Sequence, residues 1–324
     1  MFRTAVICLV CNAFLFPGFN NPQDADAQQA DASSDSLFIL AGQLQQGKAD
    51  FDRYHASRQL SGLLTRMLDT DRLPLTGLDT LKNISFLEAG NREFLIISWV
   101  IPRQDGSFDY SGLVRFHDQP GGKMRIVSLT NQARELESPE TKQLGPDHWY
   151  GALYYRLIEN KFKGKVHYVL LGWDGNNKLS RKKLIEPVQI SSRGKVIFGA
   201  SVFSHYPAKV KRVIFEYAAH SSMSLNYSRQ WMVVRLKKGK KRVTERKAAD
   251  MIVFDRLVPL QEGLEGQYQF YVPETNIQDG FHFRDGRWVY IREVDARNPD
   301  SPDKEERERK VEFDLFPPVL PDKK

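Results

Sequence analysis

Cysteine is almost missing from this chain: 324 residues hold two, Cys8 and Cys11. Both fall in a segment that reads as a removed leader, so their C-x-x-C spacing is neither a redox nor a zinc motif in the mature chain. The body must then hold together without disulfides, which a core of this size can do. Long apolar runs are equally scarce. The stretch from Thr4 to Phe16 is stopped by Pro17, Gly18 and Asn20, well short of the roughly 20 residues of a membrane helix. No later run approaches that length, so no transmembrane segment is expected after the leader.

Common catalytic signatures are missing too. There is no G-x-S-x-G, H-E-x-x-H, Walker loop or G-x-G-x-x-G. S-x-x-K occurs at Ser180–Lys183 and Ser192–Lys195, but it works by placing the lysine one helical turn after the serine, and both copies read as polar, turn-like segments. The seven histidines show no paired metal spacing. No metal and no cofactor is expected.

What is present begins with an address. Met1-Phe2-Arg3 is a short positive start, an apolar run follows, and Ala25-Asp26-Ala27 offers the small residues a signal peptidase accepts. Cleavage is expected after Ala27, leaving a periplasmic or secreted, soluble protein. Lipidation of Cys11 is disfavoured by bulky Val10 before it. Loss of Arg3, Asp24 and Asp26 takes the net charge from +7 to +8. Outside the cytoplasm such a charge favours an anionic envelope lipid or polysaccharide over nucleic acid; a protein partner is a separate expectation.

Residues 28–74 read as a helical segment. Leu37, Leu40, Ala41 and Leu44 form one stripe, and Leu60, Leu63, Leu64, Met67 and Leu68 repeat at i, i+3, i+4, i+7 and i+8. Such stripes dock on a sheet; a partner groove is the functional alternative. From 75 to 296 short apolar runs alternate with Gly-containing turns, without room for helical crossovers, which predicts a mainly β, antiparallel meander with the helices packed on it. Sandwich, barrel and propeller stay open, although the five tryptophans keep no constant spacing. Residues 297–324 are charged and proline-rich and read as a flexible tail.

The body centres on Val166 to Asn177, an apolar strand running into a polar turn. Alternation puts Tyr168 and Leu170 on one face and Val169, Leu171 and Trp173 on the other. Asp174-Gly175 is among the pairs expected to supply a positive φ. Trp173, Asp174, Asn176 and Asn177 form a candidate ligand site, since an exposed indole stacks on a sugar face and amides pair with hydroxyls; the competing reading is a core tryptophan before a tight turn. A second candidate, for anions, is Arg235, Lys237, Lys238, Lys240, Lys241 and Arg242, read as a solvated basic loop. Asp174, Glu186, Glu216 and Asp255 are near strand ends and could pair across a cleft.

His148 to Tyr155, Leu170 to Gly175 and Ile214 to Tyr217 together resemble a family of uncharacterised exported bacterial proteins, over roughly Leu81 to Asp295. The resemblance implies export and a β-rich body, and brings no activity or site residue. Two functions follow as expectations. One is a non-enzymatic binding or scaffold role in the envelope; the other is hydrolysis of an envelope polysaccharide by carboxylates in a β-domain cleft.

Overall fold

The computed structural model describes residues 35–73, 77–119, 121–238 and 241–294, without the side chains of 79, 232–238 and 241–246. The expected signal over 1–27, the tail from 297 to 324 and Lys240 lie outside the described residues.

Two helices lead, α1 over residues 35–46 and α2 over Asp50–Asp69. Three sheets follow. The first is a meander of β1 (Ile84–Glu88), β2 (Phe94–Pro102), β3 (Phe108–His117) and β4 (Met124–Thr130). The second joins β5 (Leu153–Phe162), β6 (Lys165–Asp174) and β7 (Ser180–Ile190), with β8 (Val196–Phe198) on β7. The chain then sends β9 (Phe203–Ser204) to the third sheet and returns with β10 (Val213–Ala218) to the other side of β7. The third sheet is β11 (Leu225–Lys238), β12 (Lys241–Pro259), β13 (Tyr271–Arg284) and β14 (Arg287–Ile291), with β9 parallel to β14 at its edge. All other pairings between these strands are antiparallel, and among the described residues no sheet closes into a barrel.

The layers stack because alternate residues of each inner strand have different cores to enter. On β2, Leu95, Ile97, Trp99 and Ile101 join the helical stripes, Leu60, Leu63 and Leu64 among them. Phe94, Ile96 and Val100 point the other way, into a core shared with the second sheet. On β6, Tyr168 and Leu170 enter that same core, while Val169 and Leu171 meet Phe254 and Phe281 of the third sheet. The order is therefore helices, sheet, sheet, sheet, which explains why β2 and β6 read as continuous apolar runs. The indole N–H of Trp99 donates to Ser57 Oγ at 2.8 Å, and Asn83 donates to the Ala41 carbonyl at 2.7 Å. These two bonds satisfy buried polar groups at the helix–sheet seam.

Four details differ from the sequence reading. Strict alternation fails at Trp173: its ring belongs to the core between the first and second sheets, edge-on to Phe108 at 5.5 Å, not with Val169 and Leu171. The strand ends here, and the turn that follows is folded so closely onto β3 that a Cβ on Gly175 would collide with the Phe108 ring. Gly175 is thus required for close approach, and the left-handed residue of the turn is Asn176, with φ of 48°. Ser180–Lys183 lies in β7, not in a turn, so serine and lysine take opposite faces of a strand.

The basic segment is the fourth difference. Instead of a loop, both strands continue almost to its tip, Lys237 pairing with Arg242 and Lys238 with Lys241.

Candidate functional site

Trp173, Asp174, Asn176 and Asn177 are brought together, as expected of neighbours in sequence, but the first two face inward, while Asn176 is half-buried and Asn177 exposed. Trp173 is 2% exposed and Asp174 5%, so the indole offers no open face for a sugar ring. Asp174 Oδ1 accepts the Asn176 N–H at 2.8 Å and the Tyr110 hydroxyl at 3.2 Å, and Tyr110 in turn accepts the Gly175 N–H at 2.8 Å. Tyr150 approaches Asp174 Oδ2 at 3.5 Å. Burial pushes the Asp174 carboxyl above its ordinary range, and the nearby Lys182 charge only partly opposes this. Asn176 donates to Ser180 Oγ at 2.7 Å, and Asn177 Oδ1 accepts the N–H groups of Leu179 and Ser180 at 2.8 and 3.0 Å. The amides therefore serve the turn. The whole corner is a polar latch between the first two sheets, closed from β3 by Tyr110.

The carboxylates considered for hydrolysis do not share an open cleft. Glu186 is in the middle of β7 and Glu216 in the middle of β10, not at strand ends. Glu186 is fully buried against Arg212. Glu216 accepts the Ser180 hydroxyl at 2.5 Å and pairs with Lys182 at 3.6 Å. Asp255 accepts the Ser224 N–H at 2.6 Å and the Gln278 amide at 2.8 Å. Burial also raises the Glu186 carboxyl. Each acid is held by the protein's own donors, the arrangement of structural carboxylates.

The anion candidate is placed differently. β12 pairs with β13 only from Met251 onward, so residues 241–250 run on with β11 alone. At roughly 3.3 Å per residue this is an arm about 30 Å long, and β11 is the edge strand, leaving the arm unpaired on both sides. The backbone carries Arg235, Lys237, Lys238, Lys241 and Arg242 at its far end. No protein-family model, curated protein or solved structure matches this chain.

Sequence reasoning missed a third feature, on the outside of the helical layer. Phe38, Ile39 and Phe51 are 41, 60 and 72% exposed. They border two shallow grooves between α1 and α2, of ≈ 550 and ≈ 790 Å³. The signal was available: all three are large apolar residues lying off the stripes that dock on the sheet. No described helix is long and apolar enough to cross a membrane.

Proposed function

We propose that this is an exported envelope protein with a non-enzymatic binding role, and that its β11–β12 arm engages an anionic lipid or polysaccharide. The observation that carries the reading is the arm itself: a two-stranded ribbon that leaves its sheet and ends in Arg235-Leu236-Lys237-Lys238 and Lys241-Arg242. A stiff ribbon concentrates these cations at one end, where a loop of the same composition would spread them over many conformations. Clustered lysines and arginines at a protruding tip attract phosphates, carboxylates and sulfates through a field that reaches about a Debye length, ~8 Å at physiological salt. Export and envelope residence rest on the leader-like start and on the family resemblance. What weighs against polysaccharide hydrolysis is that Asp174, Glu186, Glu216 and Asp255 are each bonded within the body.

The test is adsorption of the purified mature protein to anionic liposomes and, in parallel, to an acidic polysaccharide, as salt is raised. Binding should weaken steeply with salt, and reversing Lys237, Lys238, Lys240 and Lys241 to Glu should abolish it while thermal unfolding is unchanged. Adsorption that ignores both salt and the reversed charges would remove the arm from the binding surface. Release of sugar fragments from the polysaccharide would overturn the non-enzymatic reading.

A further inference from the structure

The outer face of the α1–α2 layer has a pattern of its own. Asp52, His55, Gln59, Gly62 and Arg66 recur at alternating steps of three and four residues along α2, the spacing of a seam that another helix can follow. This seam is symmetric in charge about Gln59. Asp52 stands seven residues before it and Arg66 seven after. An antiparallel copy of α2 centred on Gln59 would therefore place Asp52 opposite Arg66 twice, once at each end.

Other observations fit the same arrangement. A side chain built on Gly62 would meet only the Arg66 guanidinium at 3.6 Å, and one on Gly42 would meet nothing within 4 Å, so both glycines floor open ground where a second helix can come close. The groove beside the C-terminal half of α2, lined by Ile39, Leu40, Gly62, Leu63 and Arg66, is in reach of Phe51 from an antiparallel copy. Phe51 is the most exposed large apolar side chain of the described residues, at 72%. Among the described residues no ion pair engages Arg58 or Arg66. Asp52 uses Oδ2 to accept the Ala49 N–H at 3.1 Å, which leaves Oδ1 for a second donor.

We propose that this face is the interface of a twofold-symmetric dimer, with α2 packed antiparallel on α2 of a second copy, Asp52 paired with Arg66 of that copy, and Phe51 seated in its groove. A twofold contact demands a self-complementary surface, and knob with groove and acid with base supply one from a single face.

The decisive experiment uses the full mature chain and two charge reversals, Asp52→Arg and Arg66→Asp, measured by sedimentation over a range of micromolar concentrations. Wild type should be dimeric. Each variant alone brings like charges together at both ends and should self-associate roughly tenfold more weakly or worse. Mixed in equal amounts, the two should dimerise again. At one end of the mixed dimer the introduced arginine faces the introduced aspartate, and at the other the unaltered Arg66 of the first variant faces the unaltered Asp52 of the second. Circular dichroism shows whether α2 survives loss of its cap in Asp52→Arg; Phe51→Asp, which spares both charges, should also give monomers. A monomeric wild type, variants that dimerise as well as wild type, or a mixture of folded variants that stays monomeric would each overturn the proposal.

Discussion

Removing Arg212 should cost more stability than any other single change to a charged residue in this protein, and removing its partner as well should not restore it. Both side chains of the Arg212–Glu186 pair are completely buried. The guanidinium Nε donates to both Glu186 oxygens, at 3.0 and 2.9 Å. Its other nitrogens donate to three backbone carbonyls: Pro139, Lys142 at 2.9 Å and Phe198 at 3.2 Å. In Arg212→Met, Glu186 becomes a buried carboxylate without a counter-ion, which costs about 3–5 kcal/mol. Replacing a buried ion pair by two apolar residues is often neutral or favourable, since the charges no longer need to leave water. Here the double change Arg212→Met with Glu186→Met still removes a donor from all three carbonyls. Pro139 and Phe198 keep the N–H groups of Lys142 and Leu144, so Lys142 alone is orphaned and about 1 kcal/mol or more should persist. Urea unfolding of wild type, single and double variants measures this directly, provided the slopes agree. A double variant as stable as wild type would refute the reasoning, because it would mean that Arg212 matters only to Glu186 and does not pin the 139–142 segment and the end of β8 to the second sheet.

Two further outcomes follow from the latch beside β3. Trp173→Ala should cost about 3–5 kcal/mol, the range for a large aromatic cut from a packed core, with the loss read by denaturant melts; a change under about 1 kcal/mol would mean that the ring is not packed against Phe108. Asp174 has its carboxyl pushed above the usual range by burial, so the folded state holds this proton more tightly than the unfolded chain. Its contribution is then fully present below the unfolded value of about 4 and is lost as pH rises through the folded value. Unfolding free energies of wild type and Asp174→Asn, compared across that window, should diverge in favour of the asparagine variant as pH rises; a difference that stays constant with pH would contradict it.

Local sequence was enough for the class of fold and for most of its inner faces. The helical stripes over Leu37–Leu44 and Leu60–Leu68 are buried as their spacing requires, with Leu40 only partly covered, because a period of 3.6 leaves only one side able to leave water. The apolar run from Val166 to Leu171 announced a strand covered on both faces, and it is one. The tight turns at Lys163-Gly164 and Asp285-Gly286 take positive φ at both residues, as short hairpins demand. These features are local: period and turn chemistry are properties of neighbours in the chain.

The remaining choices depend on partners distant in sequence and were made only when the sheets came together. Whether Trp173 faces sugar or core rests on Phe108, and whether Asp174 is exposed rests on Tyr110, 64 residues away. That Glu186 is an anchor rather than an acid catalyst depends on Arg212 reaching it from just before β10. The basic segment became an arm because β13 stops pairing at Met251 while β11 and β12 continue together. Strand pairing is made by backbone groups, which carry no record in the side chains of where a neighbouring strand will end.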